Sequence, residues 1–208
     1  MAATSTPYGL KPINLIGGQV FAGATRKMRI ASAYATSIGY GDLLIRADDG
    51  TVTRSAATTA KPTGGFAGVF LGCEFINPST GQLQFQQNFV GGTTVTTGFI
   101  TAYVCDDPDA LFQVAVVSGT TVVTGVQYTS VGENATIVNN TSITAAGNSQ
   151  VALNATTATT DTLTIRIVDV VPDTAYQSGG NTLYPEVIVK FNFGVHTYYS
   201  ATPVATAA

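Results

Sequence analysis

The chain has 208 residues, of which only 10% are Asp, Glu, Lys or Arg; it carries one histidine, and its formal net charge is −3. Acid–base and electrostatic catalysis need groups that give, take or stabilise charge, so this composition points away from an enzyme and implies no cofactor. The nine basic residues are scattered, with Arg26, Lys27 and Arg29 the one local group, which points away from nucleic acid because phosphate binding needs clustered cations.

Thr, Val and Gly are abundant and Trp is absent. β-branched residues suit a pleated surface, and frequent glycines mark turns between short strands. No apolar stripe at helical spacing runs beyond two turns. The expected class is all-β: a β-sandwich or barrel-like core of short antiparallel strands, with an extended N-terminal arm.

The arm is residues 1–25. Pro7, Gly9, Pro12, Gly17, Gly18 and Gly23 disfavour a central strand, yet Tyr8, Leu10, Ile13, Leu15, Ile16, Val20 and Phe21 are regularly placed apolar residues. An arm laid on another surface satisfies both facts; an ordinary first strand packed on its own domain is the alternative. The β-rich body is 26–200, followed by a flexible tail at 201–208.

Within the body, 27–30 and 42–46 read as strands, and Asp49-Gly50 as a hairpin turn leading into 51–53. Residues 56–65 read as an exposed loop. Residues 66–76 are apolar on both faces and read as a central strand. The stretch 82–86 alternates Gln with Leu83 and Phe85, so the apolar face is expected inside. Residues 94–104 suggest a strand pair, and 111–117 with 121–126 suggest a hairpin about Ser118-Gly119. The polar tract 139–161 reads as a surface loop or thin edge strands, and 162–171 as a strand stopped by Pro172. Residues 186–196 alternate most cleanly: Val187, Val189, Phe191, Phe193 and Val195 are expected on the buried face, with His196 on the other. Residues 105–171 read as an inserted β subdomain, with 66–104 and 182–199 completing the main sheets.

Candidate chemistry is sparse. His196 would have to serve any Ser-His-Asp or Cys-His constellation, but no GxSxG elbow precedes it, and an exposed or edge histidine is the plainer reading. Asp106, Asp107 and Asp109 could hold a cation, but the spacing of a calcium loop is missing, and Asp before Pro is turn chemistry. Cys73 and Cys105 have no metal spacing; buried free thiols are the first reading and a disulfide the alternative. No metal site is expected. Paired glycines such as Gly91-Gly92 lack the Lys-Ser/Thr continuation of a phosphate loop. No basic leader precedes an apolar run in 1–16, and no stretch approaches the ~18 apolar residues of a membrane helix, so neither targeting nor a membrane is expected.

Ser5-Thr6-Pro7-Tyr8-Gly9-Leu10-Lys11-Pro12-Ile13 resembles the opening of a group of tailed-phage structural proteins. The likeness continues in Gly39-Tyr40-Gly41-Asp42, in residues 66–74, in Asp106-Asp107-Pro108-Asp109-Ala110-Leu111-Phe112 and in residues 131–135. The resemblance implies a decoration or cement protein of the virion, made in the host cytoplasm and seated on the outer surface of the capsid. Its implied partners are the major capsid protein and further copies of itself, as a trimer first and a dimer as the alternative. The implied capsid contacts are arm residues Tyr8, Leu10, Lys11, Pro12, Ile13, Leu15, Ile16 and Phe21. A tail-tube or head–tail connector protein is the competing viral reading. A carbohydrate-binding β-sandwich using Tyr198 and Tyr199 is the more distant one.

Overall fold

The computed structural model describes residues 6–56, 61–117, 128–138, 143–174 and 185–203. They form twelve strands and a single 3-10 turn at Tyr128–Ser130, and the fold is all-β. The hairpin expected about Ser118-Gly119 and the end of the tail at 204–208 lie outside the described residues.

Two sheets divide the chain. The first contains β1 (Lys11–Leu15), β8 (Ala110–Val117), β9 (Asn134–Val138), β10 (Ala152–Ala158), β11 (Ile165–Val170) and β12 (Glu186–Phe191). Its pairings run β8-β10-β9-β11-β12 and return to β8, closing a barrel, with β1 added antiparallel on β8. The second sheet has the order β2-β7-β5-β3-β4, from β2 (Arg26–Ile30), β7 (Ile100–Cys105), β5 (Phe66–Ile76), β3 (Leu43–Arg46) and β4 (Val52–Arg54), with β6 (Leu83–Gln86) also on β5.

β5 is apolar on both faces because it is a wall between two cores. Phe66 and Val69 join the barrel core, whereas Ala67, Phe70 and Cys73 join the core of the second sheet. The alternation skips at Gly68, whose φ of 143° few side chains adopt; a Cβ there would lie 2.4 Å from the Cys105 carbonyl oxygen. In the barrel core Phe191 packs edge-on against Phe112 and stacks on Phe66.

Six expectations are corrected. Residues 11–15 are not laid on another surface: they pair with β8 of the same chain, and Leu10 is buried in the barrel core. β12 completes the barrel with β8–β11 rather than the sheet of 66–104. Within the tract 139–161, β10 is an inner barrel strand paired on both sides, anchored by the buried Val151, Ala152 and Leu153. On β6 the faces are reversed: Leu83 and Phe85 are exposed while Gln84 and Gln86 are half-buried. Finally, the alternation of 186–196 holds only to Phe191. There the Asn192 amide donates to the carbonyls of Asp161 and Leu163, Gly194 turns the chain at φ 78°, and Phe193 swings out to 83% exposure while His196 is buried. In 94–104, only Ile100–Cys105 is strand.

The burial of Leu10 makes the segment leading into β1 part of the core. Leu10→Ala is expected to lower unfolding free energy by about 2–5 kcal/mol, read as a lower urea midpoint. An unchanged midpoint would place Leu10 outside the fold.

Candidate functional site

Residues 9–10 and 40–42, which belong to two of the segments that resemble phage structural proteins, meet in space. The Leu10 N–H donates to the Gly41 carbonyl at 3.0 Å, and the Gly9 N–H to that of Val151 at 3.2 Å. Gly9 and Gly41 both have positive φ, and a Cβ on Gly9 would sit 2.9 Å from the Gly41 Cα and from the Ser149 side chain. Only glycine permits this approach. Tyr40 is stitched to the 143–151 segment through Tyr40 N–H to Gly147 O and Ser149 N–H to Tyr40 O, each 2.9 Å.

Asp42 locks the junction from inside. It is fully buried and paired with the buried Arg54 at 3.0 Å. It also accepts from the Gly39 N–H at 2.7 Å and from the Ser149 hydroxyl. Burial pushes its carboxyl up, against the lowering pull of Ser149, Arg54 and the Gly39 N–H.

Beside this junction lies a cavity of about 390 Å³ lined by Tyr8, Lys11, Tyr40, Gln113, Asn148 and Glu186. Five separate stretches of the chain supply these residues. The Tyr8 hydroxyl is hydrogen-bonded to Glu186 and Gln113, and burial followed by the Glu186 charge raises its pKa well above the usual phenol value. The Gln113 amide donates to the Glu186 carboxylate, which is itself buried. Burial also raises Tyr40. Asn148 accepts from the Gln87 amide at 2.6 Å.

The other candidates disperse. Asp106 pairs with Arg26 and accepts from the Tyr198 hydroxyl, Asp107 accepts from the Asp109 N–H in a turn, and Asp109 pairs with Lys190. Each carboxylate thus serves a different contact, and among the described residues no group of three or more His, Cys, Asp or Glu side chains could hold a metal ion. Cys73 and Cys105 are buried free thiols, raised by burial to about 11 and about 12. Tyr198 packs on His196 and Tyr199 stacks on Phe193, so the two tyrosines do not form one platform.

His196 is fully buried between Phe191 and Tyr198. Its Nδ1 accepts from the Tyr198 N–H at 3.3 Å, which puts the proton of the neutral ring on Nε2; that atom has no partner among the described residues. Burial lowers its pKa to about 4, opposed by Asp106 and Asp107. The folded state therefore binds fewer protons at this site than the unfolded chain. Its stability contribution is full above pH ~6.5 and is lost as pH falls toward 4, by about 3 kcal/mol in all. Urea titrations across this range should show that loss in the wild type and a flatter profile in His196→Gln. Parallel profiles would contradict it.

Among the described residues, Val20, Val90, Tyr128, Val131 and Tyr198 are also exposed, and the other large exposed apolar side chains gather on two surfaces. At one end of the barrel, Ile16 (51% exposed), Phe193 and Tyr199 (42%) border a cleft of about 280 Å³ with Val168, its rim carrying Arg166 and Lys190. On the outer face of the second sheet, Leu83 and Phe85 lie opposite Ile76 and Glu74, and the 60% exposed Phe99 sits beneath the Arg29 guanidinium at 3.7 Å.

The predicted contact residues are thus split. Tyr8 and Lys11 line the cavity, Ile16 borders the barrel-end cleft, Leu10 is core, and Leu15 and Phe21 pack partly on that core. Pro12 and Ile13 are half-buried in β1. Sequence reasoning missed Gln113, Asn148 and Glu186 as wall residues and the exposure of Phe193. Single polar residues in strands and loops carry no signal of convergence. Tyr40 lies within Gly39-Tyr40-Gly41-Asp42, one of the segments that resemble phage structural proteins. No protein-family model matches this chain, and neither a curated protein nor a solved structure matches it.

Proposed function

We propose that the chain is a non-enzymatic virion structural protein that binds the outer face of a phage capsid, clamps neighbouring major capsid subunits and acts as a homo-oligomer, a trimer by preference. The observation that carries this reading is the presence of two separate groups of large exposed apolar side chains on a chain with so few charges. A cement protein has two kinds of neighbour, the shell and its own copies, and so needs two faces that become covered. Exposed patches of this kind mark interaction surfaces, and a low density of charge keeps desolvation costs small when they are covered.

The barrel-end cleft is assigned to the shell. It includes Ile16, one of the contacts implied by the phage resemblance, on the turn that follows β1. Covering Phe193 alone would stabilise a complex by about 2 kcal/mol before ordering costs, and that gain repeats at every copy around a shell. The outer face of β6, with Leu83, Phe85 and Phe99, is assigned to self-association.

Purified protein mixed with undecorated capsids of the phage that encodes it should cosediment to saturation, and imaging should place it on heads. Sedimentation of the free protein should give an oligomer that Phe85→Asp reduces to monomer. Failure to bind heads, or location on tails, would overturn the assignment.

A further inference from the structure

β2 and β4 end the strand order of the second sheet, and the sheet curls until the two approach each other without pairing. At one end of the seam between them a side chain replaces strand pairing: the Arg54 N–H of β4 donates to the Tyr34 hydroxyl at 3.1 Å. Toward the other end the seam opens into a groove of about 510 Å³. One wall is continuous chain from Lys27 to Ser32, and the other is the tip of the β3–β4 hairpin, with Arg46, Asp49, Gly50 and Thr51. Lys27–Ile30 belong to β2, which pairs with β7 on one side; no strand among the described residues takes the N–H and C=O groups of its other edge. A groove walled along its length by an open strand edge has the shape for one extended chain.

The groove is cationic on a chain whose net charge is −3. Lys27 is paired with Glu74 at 2.8 Å, and Asp49 is held in its turn by the Thr51 N–H and hydroxyl. Arg46 is hydrogen-bonded to the Tyr198 hydroxyl, and neither Arg29 nor Arg46 has a carboxylate partner among the described residues. The Arg29 guanidinium lies 3.7 Å over the Phe99 ring. That seat occupies the face of the guanidinium and leaves its edge N–H groups for a carboxylate.

We infer that this groove binds an extended, carboxylate-bearing segment of another protein chain, added alongside β2. The incoming backbone satisfies the open edge of β2. Lys27 and Arg29 alternate with the buried Met28 and Ile30, so the cations of β2 lie on the solvent face, where alternate side chains of an added strand also lie. Asp or Glu at those positions meets Arg29 and Arg46, whereas a basic segment meets two unpaired guanidinium groups. Two unpaired cations are too few for a nucleic-acid backbone, which needs a longer basic stripe. The inference does not rest on the shell-binding reading: a peptide titration contains no capsid, so either can fail alone.

The test is a titration of the full chain with a blocked peptide of alternating Thr and Glu, about eight residues long, beside its Thr–Gln and Thr–Lys counterparts. The Thr–Glu peptide should bind saturably with a dissociation constant of about 0.1 mM or tighter, and the other two about tenfold more weakly or not at all. Raising salt from about 0.05 to about 0.5 M should weaken the binding several-fold. Arg29→Gln and Arg46→Gln should each weaken it about fivefold, with urea midpoints close to wild type. Arg29 is exposed, so its variant keeps the test open even if Arg46→Gln folds poorly. Methylation of alternate peptide nitrogens reads the strand pairing: one set should lose binding and the other keep it. The inference is overturned if the Thr–Glu peptide does not bind saturably, if the Thr–Gln or Thr–Lys peptide matches it, if the arginine variants bind like wild type, or if neither methylated set loses binding. A single-stranded DNA oligomer that outcompetes the peptide overturns it as well.

Discussion

Asp42→Ala is expected to lose about 3–5 kcal/mol of stability, because it strands the buried Arg54 guanidinium without its carboxylate. Three further links go with it. The Gly39 N–H loses its acceptor, the Ser149 hydroxyl loses the acceptor of its proton, and the Gly9–Gly41 approach loses its lock. The damage is specific to breaking the pair. A double variant, Asp42→Leu with Arg54→Met, removes both charges together and should recover much of the loss, since buried pairs are often replaceable by apolar groups of similar size. Chemical denaturation of the two proteins measures this directly. A single variant as stable as wild type would mean that the pair is hydrated rather than buried.

Phe191 and Phe193, two residues apart, should behave oppositely. Phe191 contacts Phe66, Phe112 and His196 inside the barrel. Its replacement by Ala removes a large side chain from a closed core and should cost about 3–5 kcal/mol. Phe193 touches mainly the ring of Tyr199 and is mostly exposed. Phe193→Ala should change stability by no more than about 0.5 kcal/mol. Thermal or urea unfolding of the pair tests the break in the strand at Asn192. Equal destabilisation would restore the uninterrupted alternation that the sequence suggests.

That alternation shows where sequence reasoning succeeds. Val187, Val189 and Phe191 repeat with a period of two because one face of β12 lines a barrel, and 66–76 is uniformly apolar because β5 separates two cores. The errors have physical causes. Pro12 sits in β1, and the register with β8 shifts between Pro12 and Asn14, so the usual penalty for proline is absorbed at an irregularity. β10 reads as loop because Ala, Thr and Asn dominate it and only Leu153 signals a core. Composition of one strand cannot reveal that it is paired on both sides. His196 departs from the expected face because the turn at 193–195 resets the alternation before the chain bridges to Phe66.

The candidate sites were less legible than the fold. The Asp42–Arg54 pair joins residues that lie on either side of a hairpin, and neither carries a distinguishing neighbour in sequence. The cavity draws on residues 8, 11, 40, 113, 148 and 186, a grouping that exists only after the barrel and the second sheet are packed together. β6 is the instructive case. Its Gln-Leu-Gln-Phe-Gln pattern states that one face becomes covered, and in the single chain the apolar face is the one left open. An alternating pattern reads the same whether the covering surface lies in the chain's own core or on a neighbour, as the proposed self-association through β6 requires.

The proposed strengthening of a shell through the apolar cleft at the end of the barrel is tested most directly by the heat resistance of phage heads decorated with wild-type protein or with the Ile16→Asp, Phe193→Asp variant, both confirmed as folded. Wild-type protein should raise the temperature at which heads release DNA, and the variant should neither bind nor protect. Full occupancy and full protection by the variant would contradict the account.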